Sequence, residues 1–231
     1  GRTAAAIGLS GADRMAEISL IRRDTVIAAR LGAKLCIQHI STAEGVDIIR
    51  RIRRDHPYIH AEATPQHMNL TEEAVTEKGT LAKVNPPLRT EADREAIIEG
   101  LLDGTLDIIA TDHAPHAADE KNRPFTQAPS GMIGLETAFS LGLKALVENN
   151  LMSLSGFIRL LTVNPADFYG LPAGRITEGA AADLVLFDPN EKWKVGKDFA
   201  SRSSNSPFIG ETLPGVIHMT IKDGVPVYRK D

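Results

Sequence analysis

Short apolar runs that end in an ionisable or capping residue alternate with amphipathic stretches through the first half of the chain. This alternation constrains the fold more than any other feature. The runs are Leu35-Cys36-Ile37-Gln38-His39-Ile40, residues 58–64, and Leu106-Asp107-Ile108-Ile109-Ala110-Thr111-Asp112. Between them, Met15, Ile18, Ile21, Thr25 and Ala28 recur at helical spacing over 12–31, and Gly32 supplies a stop. Ser41 with Glu44 reads as a capping box opening a helix through Val46, Ile49 and Ile52. A helix is predicted over 71–78, an extended piece over 81–85 up to Pro86-Pro87, and a helix from the cap Thr90 through Leu102 to Gly104. Strands alternating with helices predict an α/β fold with a parallel sheet covered by helices.

The rhythm changes after Asp112. A proline-containing polar loop leads to Gly131, and helices are predicted over 135–148 and 154–161, with a helical turn after Pro165. From Gly174 onward the chain is strand-like, with runs at 183–188, 216–222 and 225–228, and Lys222-Asp223-Gly224-Val225 reads as a hairpin turn. The expected division is therefore a catalytic α/β part, 1–172, and a smaller β part, 173–231. Net charge −4 gives no electrostatic footprint for nucleic acid. No apolar run is long enough for a bilayer span, and the single cysteine gives no internal disulfide, so a cytoplasmic setting is expected.

His39 and Asp112 each stand at the carboxyl end of a predicted strand, the face where parallel α/β folds gather their chemistry. An imidazole and a carboxylate there suit Zn²⁺ or proton transfer. On spacing alone such positions more often hold a hydrogen-bonded structural histidine and a helix-capping or turn-forming aspartate, and catalytic zinc takes about three protein ligands. His60, His56 and His113 read as structural. Cys36 reads as a buried apolar group on the face opposite His39. Arg50, Arg51, Arg53 and Arg54 wrap around Ile49 and Ile52 as a solvated helix face.

The wording of the segments adds to this. Thr111-Asp112-His113-Ala114-Pro115-His116 resembles the signature of dihydroorotases in the amidohydrolase superfamily. His39-Ile40-Ser41-Thr42 resembles that family's metal-histidine segment. Asn85-Pro86-Pro87-Leu88-Arg89 resembles its substrate-contact segment. Ala128 to Gly131 and Gly134 to Thr137 resemble the loop and helix after its last barrel strand, and Gly174-Arg175-Ile176 with Ala182-Asp183-Leu184 its following β segment. Thr64-Pro65-Gln66-His67 departs from the family, which often has two histidines there.

The resemblance implies a metal-dependent amidohydrolase TIM barrel, represented by strands 6–8 with their helices, plus part of a small β-sandwich. It implies zinc, one or two ions in a full-length enzyme, with His39 and Asp112 as ligands and Asp112 also as the proton shuttle. Asn85, His116 and the backbone of Ser130 and Gly131 would bind substrate. The implied reaction is reversible hydrolysis of L-dihydroorotate to N-carbamoyl-L-aspartate in pyrimidine biosynthesis, by a homo-oligomer with these small molecules as partners and neither nucleic acid nor membrane. The family's His-x-His pair does not occur in the sequence. The chain is therefore expected to be a carboxy-terminal fragment, inactive alone. Two alternatives accompany this reading: a hydantoinase- or allantoinase-like cyclic amidohydrolase, and a non-catalytic scaffold for a pathway enzyme.

Overall fold

The computed structural model describes residues 1–230. They form two compact units, 1–138 with 197–207, and 139–196 with 208 onward.

The first unit runs α1 (Arg2–Ala6), α2 (Met15–Leu31), β1 (Leu35–Ile37), α3 (Ala43–Ile52), β2 (Ile59–Ala63), α4 (Pro65–Asn69) and α5 (Ala74–Lys78). A 3₁₀ turn (Gly79–Ala82), α6 (Glu91–Leu102), β3 (Ile108–Ile109) and α7 (Ala118–Lys121) follow. The strands pair in parallel in the order β1-β2-β3, with Ile37 opposite Ala61 and Ala63 opposite Ile109. Ile59, Ala61 and Ala63 are wholly buried, on the face that takes the helices, and the other face of β2 presents His60 and Glu62. This is the α/β architecture that the alternation predicts.

Local departures have local causes. The N-cap of α3 is Thr42, whose hydroxyl accepts the Gly45 N–H at 3.2 Å, and not Ser41, whose hydroxyl is drawn to Glu17. Thr90 and Asp93 close the capping box of α6 reciprocally. The helix expected over 71–78 is confined to α5, and α4 precedes it, started by the cap Thr64 and by Pro65 in the first turn. Residues 81 and 82, expected to open the extended piece, instead close the 3₁₀ turn over Gly79–Ala82. Ile18, Ile21, Thr25 and Ala28 form the buried stripe of α2, while Met15, its first residue, is exposed.

In the second unit, α8 (Ala138–Gly142, its first residue counted with the first unit) passes into a π turn (Leu143–Val147), where the Glu148 N–H reaches back five residues to the Leu143 carbonyl. The expected helix over 135–148 is thus shorter and under-wound. Next come α9 (Leu154–Leu161), α10 (Val163–Tyr169), β4 (Leu184–Lys194), β5 (Thr212–Lys222) and β6 (Val225–Arg229), the strands forming an antiparallel sheet β4-β5-β6. Asp223 at φ 50° and Gly224 at φ 79° make the turn between β5 and β6, both left-handed as a type I′ hairpin requires. The core is apolar: Phe157, Leu143, Leu146, Leu160 and Leu213 are buried, and Phe139 packs edge-on to Phe187 with centroids 4.7 Å apart. Gly142 is required here, since a Cβ would sit 2.3 Å from the Phe157 ring. Among the described residues no helix is long and apolar enough to cross a membrane.

Candidate active site

His39 follows β1 and Asp112 follows β3, so both stand where their strands leave the sheet at its carboxyl edge. Both are held left-handed, at φ 37° and φ 48°, and only two other non-glycine residues among those described share that conformation. L-residues adopt it at an energetic cost, and such strain collects at functional sites. Burial pushes the Asp112 carboxyl above its ordinary value, and the His39 imidazole pulls against that push.

Between the two lies Glu62 on β2, 5% exposed. Its carboxyl is pushed up chiefly by burial and also by Asp112, and is pulled down by the His39 imidazole, the His39 backbone N–H and the Cys36 thiol. Cys36 lies opposite His60 in register and hydrogen-bonds to Glu62, and burial beside that carboxylate raises its thiol to about 12. Cys36 is therefore an inert donor on the polar face of the sheet rather than an apolar filler. His60 is tied at 2.7 Å to Asp107, which also takes Arg53 at 2.9 Å. His113 accepts the Gly134 N–H at 3.1 Å, a role in shaping the backbone.

Two polar hubs set the Asn85–Arg89 segment, and sequence reasoning found neither. Buried His67 donates from Nε2 to the Pro86 carbonyl at 3.0 Å and accepts the Thr64 hydroxyl at Nδ1 at 2.7 Å. This satisfies the neutral ring on both nitrogens, and burial holds its pKa down at about 4. Glu17 on α2 accepts the backbone N–H groups of Ser41 and Thr42 at 2.9 and 3.1 Å. Arg89 lies 3.6 Å from Glu17, donates to Ser41 Oγ at 3.2 Å, and so links the Asn85 segment to the His39 segment. Helical periodicity marks Glu17 only as an exposed position, and nothing local pairs it with residues 24 positions away.

The loop carrying Ser130 and Gly131 is clamped by two ammonium groups. Lys83 Nζ donates to the carbonyls of Phe125 and Ala128, both at 2.6 Å. Lys121 Nζ donates to those of Pro129 and Gly131, at 3.0 and 2.9 Å. Burial, with Lys83 nearby, lowers Lys121 to about 8. His116 Nε2 donates to the Ser130 carbonyl at 2.9 Å, which brings two of the expected substrate residues into contact. Asn85 and Ser130 also share the wall of a cavity of about 1010 Å³, which His39, Asp112 and His116 do not line.

His39 and Asp112 offer the imidazole nitrogen and carboxylate oxygen that zinc takes, so the donor chemistry fits the ion. The number falls short: no group of three or more His, Cys, Asp or Glu among the described residues is arranged to hold a metal.

Residues 19–227 match the amidohydrolase family. The chain belongs to that family. This amidohydrolase is 50% identical over 229 residues to a dihydroorotase of Clostridioides difficile (strain 630), an alignment covering 99% of this chain and 54% of that protein. It is 48% identical to a dihydroorotase of Lactococcus lactis subsp. lactis (strain IL1403), with the same coverage. Its fold superposes on the L-hydantoinase (dihydropyrimidinase) of Arthrobacter aurescens with a TM-score of 0.88 at 28% identity, covering 93% of this chain and 49% of that one. The dihydropyrimidinase of Brevibacillus agri gives 0.87 at 24% identity, covering 99% and 53%, a likeness of fold. The amidohydrolase chain spans about half the length of the curated relatives it matches.

Proposed function

We propose that this chain carries part of the active site of a dihydroorotase, an enzyme that reversibly hydrolyses the ring amide of L-dihydroorotate to N-carbamoyl-L-aspartate. The observation that carries the proposal is the pairing of His39 and Asp112, both left-handed at the carboxyl edge of one parallel sheet. Zinc bound there would supply Lewis-acid polarisation of the amide carbonyl. His39 and Asp112 would hold the ion, with further ligands contributed from outside this sequence. Asp112, its carboxyl pushed up by burial, accepts the proton of the attacking water and returns it to the departing ring nitrogen. Asn85, His116 and the backbone of Ser130 would orient the ring and its carboxylate, while Gly131, whose N–H goes to the Lys83 carbonyl and whose carbonyl takes Lys121 and Asn205, would give the ring close approach to the backbone. The division at 172–173 into a barrel part and a sandwich segment belongs to the same proposal. It is supported by the parallel strands all preceding that point and the antiparallel strands all following it.

The second reading, a hydantoinase-like enzyme, draws on the superposition with the Arthrobacter aurescens L-hydantoinase. A polypeptide of the relatives' full length carrying this sequence, loaded with Zn²⁺, separates the two. Turnover of L-dihydroorotate in clear preference to hydantoin is expected, and preference for hydantoin, or no turnover of either, overturns the proposal. The 231-residue chain alone is expected to show no appreciable turnover.

A further inference from the structure

Residues 197–207 pack with the first unit although both flanking stretches belong to the second. Asn205 is one of their buried residues, 4% exposed, beside Ser206 at 1%. Its Oδ1 accepts the His116 backbone N–H at 3.1 Å and lies 2.7 Å from Ser203 Oγ. Its Nδ2 donates to the Ala114 carbonyl at 3.0 Å and to the Gly131 carbonyl at 3.2 Å. Its own carbonyl accepts the Ile133 N–H at 3.2 Å. Both amide protons are thus used, and the acceptor faces two donors, an array that only a primary amide of this length can satisfy.

The groups joined in this way leave little room to move. Gly131 has φ 130°, and a Cβ on it would lie 2.5 Å from Ala114 Cβ and 3.1 Å from His116 Nε2. The turn through 114–116 and the loop at 130–131 therefore touch, and they are cross-linked twice, by His116 to Ser130 and by Asn205 to both. The Ser203 hydroxyl lies against both the His116 carbonyl and Asn205 Oδ1, and its single proton serves one of the two at a time, so the segment holds the His116 N–H through Asn205 and touches its carbonyl through Ser203.

We propose that Asn205 is a positioning residue that fixes the spacing between His116 and the Ser130–Gly131 loop, and through it the affinity for the cyclic-amide substrate. The part that concerns substrate rests on the dihydroorotase reading above. The part that concerns geometry does not. A displacement near 1 Å in groups that orient a substrate weakens their action on the order of tenfold to a hundredfold.

The test uses Asn205→Ala, Asn205→Asp and Ser203→Ala in the zinc-loaded full-length polypeptide. Asn205→Asp keeps the shape and the acceptor while setting a carboxylate against two carbonyls. Ser203→Ala removes one hydroxyl, which touches both the Oδ1 and the backbone N–H of Asn205, and leaves the Asn205 bonds to His116, Ala114, Gly131 and Ile133 in place. Two readouts are taken: steady-state kinetics with L-dihydroorotate, and NMR of the ring nitrogens of His116 with amide exchange at Gly131 and Ile133, referenced to amides in α2. Both Asn205 variants are expected to raise KM about tenfold with kcat within about threefold, and Ser203→Ala to do so less. The His116 ring signal should shift and exchange at Gly131 and Ile133 should speed at least tenfold while α2 is unchanged. If the ring signal and local exchange stay as in the parent protein, the proposal is overturned. If they change while KM for a turned-over substrate does not, the link to substrate is overturned. Should the parent protein turn over no cyclic amide, the dihydroorotase reading fails by itself, and the NMR and exchange results alone decide whether Asn205 fixes the gap.

Discussion

The two units differ in what their interiors contain. In the first, the inner surroundings of β2 are polar and ionisable: Glu62, His67, Thr64 and Gln66 are all buried, and Asp112 and His39 bend the backbone left-handed beside them. In the second, the interior is aromatic and aliphatic, and the charges of β4 to β6 lie outside in exposed pairs such as Lys222 with Asp183 and Lys230 with Glu191. Buried polar groups cost stability unless every one is partnered, so a fold keeps them where chemistry needs them. A substitution among the buried polar groups around β2 should therefore register in activity or pH response, and one in the apolar interior of the second unit in stability.

The largest expected effect tests the first half of that statement. In the zinc-loaded full-length polypeptide, Asp112→Asn should lower kcat by about a thousandfold, within the usual range for a removed general base. In the metal-free polypeptide it should leave Tm equal or higher, because it removes a desolvated carboxyl that lies near Glu62. Kinetics alongside thermal unfolding checks this, and a large loss of Tm would break the contrast. The second half is tested by Phe157→Ala. Phe157 is fully buried against Phe139, with ring centroids 5.8 Å apart. The cavity should cost about 3–5 kcal/mol by denaturant unfolding, with KM unaffected in whatever protein remains folded.

A third prediction sharpens the comparison through pH. The His67 pKa is about 4 in the fold against an ordinary 6.5, so between these values the unfolded chain binds the proton and the folded one does not. Stability from this group is complete above pH 6.5 and lost as pH falls toward 4, a change on the order of 3 kcal/mol. Glu62 and Asp112, both pushed up, act in the opposite sense as their carboxyls protonate. His67→Gln should therefore flatten or invert the slope of stability between pH 6.5 and 4. An unchanged slope would remove His67 from the account.

The sequence made the parallel strands, the helix cap at Thr90 and the hairpin at Asp223-Gly224 legible because each is written within a few neighbouring residues. His39 and Asp112 were legible as strand-end residues for the same reason. The supports around them were not. Glu17 reaches Ser41 across 24 positions, Arg89 reaches Ser41 across 48, and Asn205 reaches His116 across 89. None of these partners shares a period, a cap or a turn, so only the tertiary fold brings them together. The displaced N-cap of α3 follows from one of them: Glu17 takes the Ser41 hydroxyl and leaves Thr42 to cap.

The smallest expected effect compares one ion pair from each unit. Asp183 accepts Lys222 Nζ at 2.8 Å and the Asp223 backbone N–H at 2.8 Å, and Lys222 chiefly lowers its pKa. Both partners are about half exposed, at 45% and 59%, where water and salt screen the attraction. Asp93 in the first unit has a similar list of partners: Arg14 at 2.6 Å, the Ala43 N–H at 2.9 Å and the Thr90 hydroxyl at 2.7 Å. Its side chain is 2% exposed, and these bonds hold its pKa at about 2 against the push of burial. Asp93 therefore adds stability that is complete above its ordinary value of 3.8 and lost as pH falls through about 2. Asp183→Ala should leave Tm unchanged from low to high salt, while Asp93→Ala lowers it at both. Equal losses from the two variants would show that neither burial nor the fuller set of partners around Asp93, which also closes the α6 capping box, separates the two pairs.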